Sequence, residues 1–379
     1  MPNAVIAGFA RSPFHLAGKG DLARVRPDDL AAQVIRGLIE RSGVKPEDIE
    51  DIILGCAFPE AEQGLNVARL IGLLADLPIK VAGMTVNRFC GSSMSSVHIA
   101  AGQIAIGAGE VFVCAGVESM SRVPMMGYNP LPSPDLAKKR PGAYMGMGET
   151  AENVAAKFQV PRAAQEAFAV DSQKKAGAAR EAGRLKDEIV PIRTKKGVVD
   201  VDGVPRPDTT AEALAALKPA FDQNGSVTAG TSSPLTDGAA AVLVTSEDYA
   251  KANGLTILAR IRSVAVSGCE PEIMGIGPVS ASRKALERAG VGVGDLDVVE
   301  LNEAFASQAL ACMRDLGLKP ETVNIDGGAI AIGHPLGATG ARIVGKAASL
   351  LKRDGGKYAL ATQCIGGGQG IATVLEAAE

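Results

Sequence analysis

This sequence predicts an α/β fold made of two duplicated halves, with a loop-rich region inserted into the first, and three observations predict it. Apolar runs of strand length alternate with segments of helical period toward both ends of the chain. An ordered set of short matches relates those ends at one constant offset. Glu40-Arg41-x-Gly43-Val44 recurs as Glu287-Arg288-x-Gly290-Val291, and Asp48, Leu54, Ala57 and Phe58 recur as Asp295, Leu301, Ala304 and Phe305. Between them the composition changes: Pro124, Pro130, Pro132, Pro134 and Pro141 with scattered methionines, a helical stretch from Thr150 to Glu181, then a polar run from Lys186 to Thr210. The halves are expected at 1–117 and 257–379, the first completed by about 236–256, with 118–235 as the inserted loop domain.

In order along the chain, Val5 to Gly8 reads as a strand, and Leu30, Val34, Ile35 and Leu38 mark a helix to Ile39. A strand from Ile52 to Gly55 and a helix from Val67 to Leu74 follow. The run Val81 to Val86 is a strand ending in a polar corner, after which Met94, Val97, Ala101, Ile104 and Ala105 recur at helical spacing, with Ser92 and Ser93 placed to cap the first turn. Val111 to Gly116 is the next strand, and Asp237 to Thr245 reads as a strand returning to the first half beyond the insertion. In the second half, Thr322-Val323-Asn324 echoes Thr85-Val86-Asn87, and Tyr358 to Cys364 echoes the Val111 strand.

Composition excludes several functions. With 39 basic and 42 acidic residues there is no net field to attract nucleic acid or a membrane surface, and the absence of Trp leaves little for base stacking. Six cysteines without a C-x-x-C pair suggest neither a zinc site nor a disulfide framework, in keeping with a reducing cytoplasm. The first residues lack the basic and apolar regions of a signal peptide, the last carry no targeting tripeptide, and no segment is expected to cross a bilayer.

Cys90 draws attention by its place. It lies between a strand end and a helix start, where free backbone N–H groups and the helix dipole are expected to favour the thiolate, and Gly91 allows close approach. A free cysteine is also among the most buried residue types and often serves as a small hydrophobe, so position alone leaves its role open. Of three histidines, His15 and His98 read as ordinary buried ones, whereas His334 sits in the glycine-rich turn Gly327 to Gly340, which lacks the phosphate-cradling G-x-x-x-x-G-K-[ST] pattern. Asn302 and Cys364 each close a strand of the second half. Such strand ends beside glycine turns are where reactive groups converge, and two cysteines, a histidine and an asparagine suggest covalent catalysis with a separate proton shuttle.

At these residues the chain resembles the thiolase family over nearly its whole length. The matching pieces are Val86-Asn87-Arg88-Phe89-Cys90-Gly91-Ser92-Ser93, Gly116-Val117-Glu118-Ser119-Met120-Ser121, Asn302-Glu303-Ala304-Phe305, Gly333-His334-Pro335-Leu336-Gly337 and Cys364-Ile365-Gly366-Gly367-Gly368. The resemblance implies a thiolase-like fold, with Cys90 as nucleophile, His334 as its base, Cys364 as the second acid/base, and Asn302 holding a water that, with His334, binds the enolate oxygen. It further implies an oxyanion hole from the N–H groups of Cys90 and Gly366. The insertion would bind coenzyme A, with Ser233 near the pantetheine and Arg206 near the nucleotide phosphates, although a solvated arginine is the plain alternative for Arg206.

The implied activity is CoA-dependent cleavage of 3-ketoacyl-CoA to acetyl-CoA and a shortened acyl-CoA, reversible as a Claisen condensation. Coenzyme A is then a co-substrate, with no tightly bound cofactor and no metal. Acetoacetyl-specific members of the family commonly carry His at the place of Gly146, so its absence, with the wording around Cys90, resembles the degradative 3-ketoacyl-CoA thiolases of fatty acid β-oxidation. A biosynthetic acetoacetyl-CoA thiolase is the alternative. A ketoacyl synthase is disfavoured by Cys364, and a non-catalytic acyl-CoA or lipid-binding protein is disfavoured because each catalytic position is filled. The expected partners are acyl-CoA, CoA and further copies of the chain as a homodimer or homotetramer, with a β-oxidation multienzyme complex admitted as another.

Overall fold

The computed structural model describes residues 3–378. Its main element is a ten-stranded mixed sheet. We label nine strands: β1 (Ala4–Arg11), β2 (Asp51–Gly55), β3 (Ala82–Val86), β4 (Val111–Ser119), β5 (Thr236–Ser246), β6 (Ala259–Gly268), β7 (Val298–Leu301), β8 (Tyr358–Ile365) and β9 (Gln369–Glu376). Their order is β3-β2-β4-β5-β1-β6-β9-β8-β7, with the short strand His15–Leu16 added beside β5. The order is a near-mirror about the β1/β6 junction. β2 runs parallel to β3 and β4, as β7 runs parallel to β8, and a single parallel bridge from Val299 to Val323 stands where a full strand pairs in the first half. β5 follows the insertion yet pairs antiparallel with both β1 and β4, so the insertion leaves and re-enters one sheet.

Eight helices matter here: α1 (Pro27–Ser42), α2 (Val67–Leu74), α3 (Ser92–Ala105), α4 (Met147–Lys157), α5 (Arg162–Glu181), α6 (Gly277–Ala289), α7 (Ala306–Leu316) and α8 (Leu336–Asp354). The helical stretch expected from Thr150 to Glu181 is two helices, separated at Pro161, whose missing N–H and fixed φ suit it to the start of α5 rather than to a helix interior.

α1 and α2 cover one face of the first half, and α6 and α7 one face of the second. α3 and α8 pack against each other and against strands of both halves, in a shared core that includes Met94, Val97, Phe112, Ile343, Val344, Ala347, Leu351 and Ile371. α8 is buried from Leu336 to Ala348 without interruption, as a helix enclosed on all sides must be. Each fully buried Ile or Leu there contributes about 1.5–3 kcal/mol. The start of α3 and the start of α8 are thereby held side by side, and the functional groups sit at those two starts. Among the described residues no helix is long and apolar enough to cross a membrane.

Candidate active site

Cys90 stands at the corner between β3 and α3. Phe89 before it adopts a φ of 43°, the left-handed region that a bulky residue enters only when its surroundings hold it there. They do so closely. Asn87 Oδ1 accepts from the Phe89 N–H at 2.8 Å, and Ser92 Oγ accepts from the Arg88 N–H at 2.9 Å while donating to the Phe89 carbonyl at 2.6 Å. The serines therefore do not cap α3. Gly91 is its N-cap with no side-chain cap; Ser92 turns back to close the corner, and Ser93 Oγ accepts from the Ala341 N–H of α8 at 2.8 Å. Two glycines permit this approach: a Cβ at Gly55 would lie 2.2 Å from the Ser93 nitrogen, and one at Gly340 would lie 2.2 Å from the Met94 nitrogen.

His334 follows Gly333, whose φ of 111° few other residues would accept. Its backbone N–H donates to Thr236 Oγ1 at 3.1 Å. On the ring, Nδ1 lies 2.7 Å from Thr339 Oγ1 and Nε2 lies 3.5 Å from Asn302 Nδ2. An amide Nδ2 can only donate, so Nε2 carries the lone pair and Nδ1–H donates to Thr339. Burial, reinforced by the positive Arg342, pushes the imidazole down to about 3, which leaves a neutral base. Asn302 is fully buried, its N–H bonded to the Thr362 carbonyl at 3.0 Å and its Oδ1 without a protein partner.

Cys364 lies near the end of β8, packed in a cluster with Ala151, Val227, Met274, Ala304 and Phe305. The next turn, Gly366 to Gly368, closes the β8–β9 hairpin in three residues, two of them at positive φ. The N–H groups of Gly366 and of Cys90 itself both face the Cys90 sulfur and favour its charged form. Burial outweighs them: Cys90 keeps part of its surface open to the pocket, yet the protein around it pushes the thiol up to about 12. The backbone dipoles expected to favour a thiolate at the corner are present, and burial outweighs them. Cys364 is likewise held well above the usual thiol range, first by burial and then by its proximity to Cys90, rather than tuned toward working pH.

Cys90, His334 and Cys364 line one cavity of about 820 Å³. Its walls are mostly apolar, with Met120, Met147, Leu214, Phe221, Met274 and Phe305 among them. Ser233 also lines it, with its N–H and Oγ both bonded to the Ala304 carbonyl at 2.9 and 3.1 Å. Arg206 stands exposed at the rim, fixed by a backbone bond to Gln173, and among the described residues no carboxylate pairs with its guanidinium. Asn302 and Gly366 reach the same centre from behind, through His334 and Cys90. His15 and His98 lie elsewhere, bonded to the Val201 carbonyl and the Thr373 hydroxyl.

Sequence reading assigned no role to three groups. Thr339 fixes the His334 tautomer, Gln363 donates from β8 to the Cys90 carbonyl, and Glu118 joins the ends of β2 and β4 to the His334 turn. The last had a visible signal: it is the one charge in the otherwise apolar run Val111 to Val117 and its continuation. Thr339 and Gln363 had none, because a hydroxyl or amide near a glycine turn is common.

Comparison with known proteins covers the whole arrangement. Residues 4–248 match the family model for the thiolase N-terminal domain, and residues 255–377 match that for the thiolase C-terminal domain. The chain is 48% identical to a 3-ketoacyl-CoA thiolase of Bacillus subtilis (strain 168), over 99% of this chain and 100% of that protein. It is 48% identical to a 3-ketoacyl-CoA thiolase of Vibrio cholerae, over the same shares, and 47% identical to one of Acinetobacter baumannii (strain AYE), over 99% of this chain and 98% of that protein.

Proposed function

This chain belongs to the thiolase family, and from that premise we propose that it is an acyltransferase cleaving 3-ketoacyl-CoA with free CoA through an acyl-enzyme on Cys90. The observation that carries the reading is the convergence of Cys90, neutral His334 and Cys364 on one mostly apolar cavity of about 820 Å³ with the exposed Arg206 at its rim.

Each group has a part in the chemistry. His334 Nε2 takes the Cys90 proton as the sulfur attacks the 3-keto carbon, and the N–H groups of Cys90 and Gly366, already facing that sulfur, receive the tetrahedral oxyanion. The C2–C3 bond then breaks. Its electron pair becomes the enolate of acetyl-CoA, whose oxygen is bound by the protonated His334 and a water held by Asn302, and Cys364 gives its proton to C2. A thiol held above its usual range is suited to this: it stays protonated until a carbanion is present to take the proton. In the second half-reaction an incoming CoA thiol loses its proton to Cys364 and attacks the acyl carbon, and the Cys90 thiolate that leaves recovers its proton from His334. Coenzyme A is a co-substrate throughout.

The insertion, 118–235, supplies much of the wall on which CoA would lie. Ser233, which lines the cavity, would meet the pantetheine arm, and Arg206 at its rim the phosphates. At Gly146 a Cβ would meet nothing nearer than the Glu149 carboxylate at 3.8 Å, so the cavity stays open where a side chain could narrow it. That room favours acyl chains longer than acetoacetyl and a part in fatty acid β-oxidation; a cytoplasmic place is proposed from the free cysteines instead.

Assembly belongs to the same reading. β3 is an open edge of the sheet, and Leu65, Leu73, Leu74, Ile79 and Phe89 are exposed around it and on the helix packed against it. An exposed apolar edge is a liability unless covered, and a second copy would cover it as a homodimer or dimer of dimers.

The test is CoA-dependent loss of 3-ketoacyl-CoA absorbance across acyl chain lengths. Turnover of chains longer than four carbons is expected, and no CoA-dependent loss at any length would remove the proposal.

A further inference from the structure

Glu118 is a buried carboxylate that the chemistry just described does not use. It closes β4, is 1% exposed, and has no cation beside it: among the described residues no salt bridge reaches it. Instead, donors surround it. Oε2 accepts from the N–H of Ala57 at 2.8 Å and from that of Gly337 at 3.0 Å. Oε1 accepts from the Phe58 N–H at 3.2 Å and Gln63 Nε2 at 2.8 Å, with Cys56 Sγ at 3.7 Å. Every partner donates, which favours the carboxylate form, while burial raises its pKa above the ordinary carboxylate value.

The donors come from two places. Ala57 and Phe58 belong to the turn after β2, which also anchors the nucleophile's corner, since the Ala57 carbonyl accepts from Asn87 Nδ2 at 3.1 Å and the Phe58 ring meets the Phe89 ring at 5.9 Å. Gly337 belongs to the turn that carries His334. A single oxygen, Oε2, thus ties the base's turn to the turn behind the nucleophile, across the junction of the two halves. The titratable groups facing this cluster are Cys56 and Cys90, with His334 and Cys364 beyond Cys90 in the shared cavity.

We propose that Glu118 is a positioning residue for the reaction at Cys90: its carboxylate clasps the His334 turn to the strand ends behind the nucleophile, and so holds base and nucleophile in register. Burial is the largest influence on the Cys90 thiol, and the Glu118 anion adds to it, opposing the N–H groups that face the sulfur. A site whose nucleophile ionises only in the presence of substrate is protected from alkylation and oxidation at rest, because the thiolate is the reactive form.

The inference rests on the assigned roles of Cys90 and His334, and its test separates the two. Glu118→Gln removes the charge, while Glu118→Asp keeps it but is too short to reach Ala57 and Gly337 together. Well below its pKa, the iodoacetamide rate at Cys90 follows the thiolate fraction, so loss of the Glu118 charge in Glu118→Gln appears as faster alkylation at each pH from about 7 to 9. Glu118→Asp should alkylate within about twofold of the parent rate. Both variants should lose about 10–100-fold in kcat with KM for CoA within about twofold, since Glu118 does not line the cavity. A kcat within twofold of the parent in Glu118→Asp overturns the proposal, and this variant decides if Glu118→Gln does not fold. If the parent remains active with Cys90 fully alkylated, the reading of Cys90 itself fails; if alkylation inactivates the parent and the Glu118 variants behave like it, only the role of Glu118 is lost.

Discussion

The side-chain amide of Gln363 donates to the backbone carbonyl of Cys90, so that β8 of the second half holds the peptide of the nucleophile in the first. Gln363 is fully buried and its Oε1 has no protein partner, which leaves this one bond as its polar tie. Arg88 makes a parallel link, with Nε on Ser95 Oγ at 2.9 Å and Nη1 on Gln369 Oε1 at 3.2 Å, across the same junction. The Cys90 corner is therefore positioned by residues that follow it by more than 270 positions.

Gln363→Met keeps the length of the side chain and deletes the donor. Stability should change little, because the net loss of one hydrogen bond, about 1 kcal/mol, is offset by removal of an unpartnered buried oxygen. Turnover should fall about tenfold with KM for CoA unchanged, because the Cys90 and Gly366 N–H groups proposed to receive the oxyanion lose their fixed spacing. Steady-state kinetics beside a thermal melt reads both, and parent-like kcat would show that Gly91 and Arg88 suffice to hold the corner.

The pH dependence of stability offers a test remote from the site. His98 on α3 lies largely buried with Nε2 2.9 Å from Thr373 Oγ1, and burial, with a smaller push from the Arg88 charge, lowers it to about 3. Its folded pKa is depressed below the ordinary value of about 6.5, so the unfolded chain takes up a proton that the folded one refuses. The contribution is neutral above about pH 6.5 and becomes destabilising as pH falls from there toward 3. Between about pH 7.5 and pH 5 the parent should lose about 1–2 kcal/mol through this histidine, and His98→Gln should lose that much less. Urea titrations at the two pH values measure it; identical pH losses in parent and variant would place His98 in contact with water.

How much of this was legible from the residues follows from the range of each interaction. Cys90, His334, Asn302 and Cys364 stand at strand ends and glycine turns, and the alternation that marks those ends is local, so the places could be read. The repeated offset between Glu40 and Glu287, from which two halves are read, is local in the same way. Ionisation could not be read. The corner at Cys90 suggests a thiolate, and burial by the surrounding protein, with a smaller push from Glu118, outweighs that. The Ser92 and Ser93 hydroxyls look like caps in a one-dimensional reading, but α8 lies close enough to Met94 to claim Ser93 instead. Gln363, Thr339 and Glu118 act through partners distant in sequence, and no local pattern announces such a bond.

The open edge at β3 carries a prediction about assembly. Leu73 and Leu74 on α2 are each 42% exposed, and Phe89, next to the nucleophile, is exposed on the same side of the corner. If a second copy covers this edge, Leu73→Glu combined with Leu74→Glu should convert a dimer at micromolar concentration to monomer, since like charges would be buried against apolar surface. Activity should fall with dissociation, because Phe89 holds its φ of 43° more easily when its ring is packed. Light scattering and turnover measured over a dilution series test both statements, and a monomeric parent would remove the first.

The two sulfurs can be separated by what each variant still does. Cys90 is assigned the acyl group and Cys364 only protons, so Cys364→Ala should still accept an acetyl group from acetyl-CoA onto Cys90, visible as a mass increase of the intact protein. Cleavage and condensation should nonetheless fall by at least about 10²–10⁴-fold, the usual contribution of a positioned acid or base, because nothing remains to move the proton at C2. Cys90→Ala should show no mass increase at all. His334→Ala should acylate slowly, since the Cys90 thiol, held up to about 12 by burial, would lack the neutral Nε2 that accepts its proton, and the deficit should shrink as pH rises toward that value. Rescue of that variant by added imidazole, a small base able to enter a cavity of about 820 Å³, would identify the missing function as proton transfer. Near-normal turnover in Cys364→Ala would instead show that the proton at C2 is moved by another group, and the only other titratable side chain assigned to the centre is His334, which would then have to serve both half-reactions.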